Sequence, residues 1–380
     1  MSHHRRHLGS DLGALILAGA VLLSPALAAA GGSRPDGSPE EQARERAPLI
    51  GVKIYDPVPD TQALLREWAK LGVDTVFLST TLAESGTFVP AARRAGLRTL
   101  VITPVFYNPG YLAAHPEAYA IDGRGERARQ DWVEFVCPSR EDYRQQRTRE
   151  ALALLEKHHP DGLSLDFIRH FVFWEMMKPE SRIDPLETTC FCAHCLARFE
   201  AETEVRLPPE AKASPAAAAA WLFAGHSDPW IRWRAGLITS WVREVVEGAR
   251  RIAPGAWVGV HLVPWGEGDY DNGPLRVAGQ DVEALGALVD YVSPMCYAHM
   301  LYREPDWVGR VVRGLAPRVR VPIIPSIEVR ESYRSDELTD AFFANALRAA
   351  LEPPSRGVVF WSWPALAVES SKQEILARRQ

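Results

Sequence analysis

From Leu49 onward the chain repeats one pattern: a short apolar run rich in β-formers, a turn, then a stretch whose apolar positions recur at helical spacing. Eight such runs stand out: Leu49–Tyr55, Thr75–Ser79, Thr99–Val105, Leu163–Ile168, Trp257–Val263, Tyr291–Tyr297, Pro322–Val329 and Gly357–Trp363. Helical periodicity separates them, for example over Thr61–Leu71, Val89–Ala95, Arg140–His158, Trp230–Ile252, Asp281–Leu288, Trp307–Leu315 and Asp336–Leu351. Eight alternations predict an α/β fold, a (β/α)8 TIM barrel, as one domain over residues 48–378. An open doubly wound sheet competes, but the segment after the first run, KIYDPVPD, lacks the glycine-rich phosphate turn of that fold.

Two connections are longer than ordinary loops, those after strands 3 and 4. Tyr107–Arg140 contains an Asp122-Gly123 turn between extended stretches, which predicts a small hairpin. Residues 170–229 contain a cysteine cluster and, at Ala216–Ala220, the start of a short helix. Long excursions at the C-terminal face of a barrel usually shape a substrate cleft.

The start of the chain follows a different pattern. Residues 1–30 join a basic stretch (His3, His4, Arg5, Arg6, His7) to an apolar segment ending in small residues around Ala26-Leu27-Ala28. This is the layout of a secretory signal peptide, with a retained N-terminal anchor as the alternative. Residues 31–47, GGSRPDGSPEEQARERA, are a flexible leader. The expected location is therefore periplasmic or extracellular. No later apolar run approaches about 18 residues, so no stable membrane insertion is expected after signal cleavage.

Charge narrows the partners. Loss of residues 1–30, which carry a net +1, takes the formal charge from −5 to −6. An acidic chain without a basic block has no electrostatic footprint for nucleic acid. Twelve Trp and ten Tyr suit a cleft that stacks on sugar rings, though many such rings also serve as core.

The candidate chemistry lies at strand ends. DGLSLDFIRH delivers Asp166 and Arg169 to the end of strand four; the bland alternative is a structural Asp–Arg pair. Strand one contributes Lys53, Tyr55 and Asp56, strand five His261, strand six Tyr297 and His299, strand seven Glu328, and strand eight Trp361 and Trp363. Tyr107 and Asn108 follow strand three and can hydrogen-bond ring hydroxyls. Asp166 with Glu328 is the pair that fits glycoside cleavage, one carboxylate facing the anomeric carbon and one passing a proton to the leaving oxygen. For Glu328 the structural alternative is a salt bridge to Arg330 or Arg169.

DGLSLDFIRH, VEFVCPSREDYR, DYVSPMCYAHM and GVVFWSWPAL together resemble bacterial glycoside hydrolases of the family-10-like and related hypothetical glycosyl hydrolase barrel groups. The resemblance spans most of residues 48–370 and implies an exported barrel glycosidase with Asp166 as the nucleophile. The alpha-amylase style of barrel places an Arg two residues before that Asp, whereas here Ser164 and Leu165 precede it and Arg169 follows. The usual strand-five Glu is also missing, with His261 in its place, so Glu328 on strand seven becomes the leading general acid/base.

CFCAHC sets Cys190, Cys192 and Cys195 within six residues around His194, while Cys137 and Cys296 stand apart. The spacing fits half a zinc site, completed by His194 or the distant Cys137, or a disulfide, or buried thiols. Relatives in the hydrolase groups carry a similar segment, here ending at Phe199, which implies a scaffold stiffening the strand-four loop.

The expectation is an exported glycoside hydrolase acting on a poly- or oligosaccharide. Asp166 and Glu328 are catalytic, and Arg169, His261, Tyr297, His299, Tyr107, Asn108, Trp361 and Trp363 bind substrate. No cofactor is required; Cys190, Cys192 and Cys195 offer either a structural zinc or a disulfide. A non-catalytic carbohydrate-binding barrel and a metal-dependent hydrolase are the alternatives, the latter without the paired His-x-His such barrels use.

Overall fold

The computed structural model describes residues 47–379; the expected signal peptide and nearly all of the expected leader lie outside the described residues. Eight parallel strands form one sheet: β1 (Leu49–Ile54), β2 (Thr75–Leu78), β3 (Arg98–Pro104), β4 (Gly162–Asp166), β5 (Trp257–Leu262), β6 (Tyr291–Pro294), β7 (Ser326–Glu328) and β8 (Gly357–Trp361). Their order is β6-β5-β4-β3-β2-β1-β8-β7. Isolated parallel bridges, Val292↔Ile323 and Met295↔Ser326, join β6 to β7 and complete the ring. The fold is a (β/α)8 barrel with long connections after β3 and β4. Strand β7 is shorter than its apolar run because Pro322 and Pro325 have no N–H to give a ladder.

The period-2 alternation of a strand decides what the barrel holds. Leu49, Phe77, Leu100, Ile102, Tyr291, Ile324 and Val359 form an apolar cluster separate from the larger layer between strands and helices. Two glycines make room for its large rings: a Cβ at Gly259 would lie 2.1 Å from the Tyr291 ring, and one at Gly51 would lie 2.8 Å from Phe77. Further along the same alternation come Lys53 on β1 and Tyr55 just beyond it, Ser164 and Asp166 on β4, His261 on β5 and Trp361 on β8. The interior therefore changes from apolar to ionisable toward the C-terminal end of the strands.

The outer layer follows the helical periodicity. The helix Thr61–Lys70, capped by Asp60, buries Leu64, Leu65 and Trp68. The 26-residue helix Ser227–Ile252 is tied to Glu141–His158 by Arg144, which donates to Ser240 and Glu244. Among the described residues no helix is long and apolar enough to cross a membrane.

Glu328 strengthens the seam between β6 and β7. Its carboxylate accepts the backbone N–H groups of His299 (2.5 Å) and Met300 (3.1 Å), in the loop that leaves β6. Arg330, which with Arg169 was the salt-bridge alternative for Glu328, instead reaches Glu331 and Glu369. Burial is the main effect on Glu328 and pushes its carboxyl up to about 8, while the two N–H donors and Arg334 oppose the rise. In the unfolded chain the proton leaves near 4.5, so between about 4.5 and 8 the folded state holds a proton that the unfolded state has lost. Stability from this site must fall as pH rises through that window. Glu328→Gln keeps an accepting oxygen and does not titrate. Its stability relative to wild type should improve by on the order of 1–3 kcal/mol between pH 5 and pH 8 in urea unfolding. Parallel pH profiles for the two proteins would contradict this.

Candidate active site

A cavity of about 470 Å³ opens at the C-terminal end of the barrel, within the usual size of a small-molecule site. Its ionisable lining is Lys53, Asp166, Arg169 and Glu175, and its aromatic lining is Tyr55, Tyr107, Trp132, Phe167, Trp174, Tyr297, Tyr333 and Trp361. Trp174, Tyr297 and Trp361 form a stack, with centroids 5.8 Å and then 4.6 Å apart. Tyr107 stacks on Phe167 at 4.8 Å, and Trp132 donates its indole N–H to the Tyr333 hydroxyl.

The chain bends sharply just after Asp166. Phe167 has φ 49°, and Tyr333, across the pocket, has φ 59°. For bulky side chains this left-handed region costs about 1–3 kcal/mol each, and such residues cluster at functional sites. The bend carries the Phe167 ring onto Tyr107, while the Asp166 carboxylate accepts the Phe167 N–H at 2.7 Å.

Burial dominates the electrostatics. Lys53, 1% exposed, donates to the Tyr297 hydroxyl at 3.2 Å; desolvation lowers it to about 8, opposed by the Asp166 charge. Arg169 makes no direct ion pair with Asp166. Its guanidinium donates to the carbonyls of His170 and Val172 and lies 4.8 Å over the Phe135 ring. Glu175, in the turn Trp174–Met176, is raised to about 7, first by burial and further by Asp166, with Arg169 opposing.

The residues expected from sequence divide into two groups. Asp166, Arg169, Tyr107, Tyr297 and Trp361 meet in the pocket. His261 lies inside the barrel with Nε2 2.8 Å from the Ser164 hydroxyl, and burial lowers it to about 3, so its ring is neutral. Glu328 pairs in register with Trp361 but is not among the pocket-lining residues. Asn108 caps the helix Pro109–Ala114, and His299 faces Asp336 and Phe342. Trp363 packs edge-on against Trp68 in the outer layer.

Sequence reasoning missed Glu175, Trp132, Trp174 and Tyr333. The first had one detectable signal, a single carboxylate inside the apolar run FVFWEMM. The others lie in irregular loops that no periodicity marks.

The cysteines form a separate centre outside the pocket lining. All five are free thiols, and Cys137, Cys190, Cys192 and Cys195 place their Sγ atoms within 4.8 Å of one another. Cys137 lies 3.3 Å from Cys195 and 3.7 Å from Cys192. A tetrahedral zinc with Zn–S near 2.3 Å needs sulfurs about 3.8 Å apart, so the donor set fits. The buried guanidinium of Arg234, within electrostatic reach of Cys190 and Cys195, suits the negative charge of four thiolates. Cys137 belongs to the loop after β3 and the other three to the loop after β4. The cluster therefore lies where the two loops meet that bring Tyr107, Trp132, Phe167, Arg169, Trp174 and Glu175 to the pocket wall. The Asp122↔Thr189 bridge and the Ile121 N–H on Cys190 Sγ add to that join.

No family model matches this sequence, nor does any curated protein. Solved structures do match. The PgaB (BpsB) glycoside hydrolase domain from Bordetella bronchiseptica superposes with TM-score 0.63 at 14% identity, covering 87% of this chain and 98% of that one. A β-galactosidase from the psychrophilic Marinomonas ef1 gives 0.62 at 14% identity, over 87% of this chain and 58% of that one. Gan42B, a GH42 β-galactosidase from G. stearothermophilus, gives 0.58 at 12%, over 88% and 57%. The chain thus spans little more than half the length of the two β-galactosidases. At these identities the likeness is one of fold.

Proposed function

We propose that this protein is a glycoside hydrolase acting on an oligo- or polysaccharide, with Asp166 facing the anomeric carbon. One observation carries the reading: a carboxylate at the end of β4 and a second ionisable carboxyl share a barrel-mouth pocket walled by aromatic rings. The aromatic faces offer stacking surfaces for pyranose rings. Asp166 meets the positive charge that develops at the anomeric carbon, as an attacking group or as a stabiliser. Lys53, Arg169 and Tyr297 orient the sugar. The glycoside hydrolases among the structural neighbours support the same class. A signal peptide would deliver the enzyme outside the cytoplasm, where such polymers are found. We propose further that the four-cysteine cluster holds a structural zinc. It lies outside the pocket lining, so its role is to order the loops rather than to touch substrate.

Asp166→Asn keeps the shape of the side chain and removes its charge. On a panel of nitrophenyl glycosides and polysaccharides, turnover should fall on the order of 10³-fold or more, about 4 kcal/mol of barrier, with little change in Tm. A variant that unfolds easily yet keeps full activity in its folded fraction would make Asp166 scaffold. For the cysteines, metal analysis should find one zinc per chain. Cys192→Ser should lose it, with a fall in Tm and in activity together. Five titratable thiols in metal-free protein of unchanged Tm would refute the zinc site.

A further inference from the structure

We propose that Glu175 is the proton donor to the leaving group. This rests on the glycosidase reading above and names a catalytic residue that the strand pattern does not reveal. Two carboxyl groups other than Asp166 compete for the role, and their surroundings differ. Glu328 is committed to the fold: its oxygens accept the His299 and Met300 N–H groups, and it does not line the cavity. Glu175 lines the cavity and is 7% exposed, and its Oε2 is buried without a hydrogen-bond partner. The carboxyl has backbone N–H groups of its own turn nearby, but among the described residues it makes no side-chain ion pair and stands beside a second carboxylate in a cleft, the setting in which a carboxyl is free to act on a ligand. A protonated carboxyl has one O–H to give, and the Glu175 carboxyl, as part of the cavity lining, is placed to give it to a glycosidic oxygen bound there.

The surroundings suit a donor. Glu175 is raised to about 7, so an appreciable fraction still holds its proton at neutral pH. The groups that face it are Asp166 and Arg169 from the strand-four segment and Tyr333 from the loop after β7. Arg169 limits the rise and keeps the group close to its working pH instead of permanently neutral.

The step balances. Glu175 gives its proton to the glycosidic oxygen, the bond from that oxygen to the anomeric carbon breaks with its electron pair on the oxygen, and the alcohol leaves. Water supplies a hydroxyl to the anomeric carbon. Its remaining proton goes to Glu175 if Asp166 has first formed and then lost a covalent bond, or to Asp166 if water attacks directly.

The test compares Glu175→Gln, Glu328→Gln and wild type on aryl and alkyl glycosides of one sugar with leaving groups from dinitrophenol to methanol. A lost proton donor makes the rate depend steeply on leaving-group acidity. For Glu175→Gln, kcat/KM should fall on the order of 10²–10⁴-fold with poor leaving groups and less than about tenfold with dinitrophenol. The alkaline limb of the kcat/KM pH profile, near neutrality in wild type, should disappear. Each comparison is a ratio within one sample, so partial misfolding cannot produce it. Glu328→Gln should show no such selectivity, whatever its overall level. If Glu328→Gln carries the steep dependence and Glu175→Gln does not, the assignment is overturned while the glycosidase reading stands. If wild type turns over no glycoside on the panel, both fall.

Discussion

Lys53, Asp166, Arg169 and Glu175 are all withdrawn from water at one end of a barrel whose floor is apolar, and no two of them make a direct ion pair. Burying an unpaired charge costs several kcal/mol, and a fold tolerates this only where the surrounding structure holds the groups in place. The neighbouring features follow from that constraint. The guanidinium of Arg169 is held by two loop carbonyls and an aromatic face, Lys53 is hydrogen-bonded to Tyr297, and Glu175 gives up part of its acidity. Arrangements of this kind pull ionisable groups toward neutrality, where acid–base chemistry operates.

Holding the quartet falls to loops rather than strands. Glu175 is nine residues beyond Asp166, in a turn that helical or strand periodicity does not stabilise. At its far end its loop meets the loop bearing Tyr107 and Trp132 at the cysteine cluster, where the proposed zinc would join the two. On the opposite side, Glu328 fixes the loop after β6 through two backbone N–H groups, close to Tyr297. Both devices are remote from the proposed bond cleavage and both control where the pocket walls stand. Catalytic geometry tolerates errors of only about an ångström, so losing either should be felt at the site.

The barrel was legible because its signals are local and periodic. All eight apolar runs became strands, since parallel strands buried on both faces need continuous apolar sequence, and β7 fell short only where prolines interrupt its ladder. Asp166 was legible for the same reason: period 2 and a strand end determine its position. Side-chain direction past the strand ends was not legible. His261 and Glu328 share the inward alternation, yet Ser164 engages one and backbone N–H groups engage the other. Asn108 and Trp363 read as site residues but have local duties, a helix cap and an aromatic packing contact. Glu175 and the pairing of Trp132 with Tyr333 depend on how two long loops meet, 201 residues apart in the second case, and nothing local records that. The position of Cys137 sits between these extremes. It was one of two candidates to complete the cysteine set, and the bridge between the loops selects it over His194.

Cleavage by this pair requires a sugar lying between Asp166 and Glu175. The most direct measurement is a crystal structure of the Asp166→Asn variant with an intact oligosaccharide bound. The prediction is a glycosidic oxygen about 3 Å from the Glu175 carboxyl, with the adjoining anomeric carbon about 3–3.5 Å from the side chain at position 166. The rings on either side should lie against the aromatic wall. A saccharide bound with its glycosidic bond away from both residues, or one that the protein does not bind in this cavity at all, would contradict it.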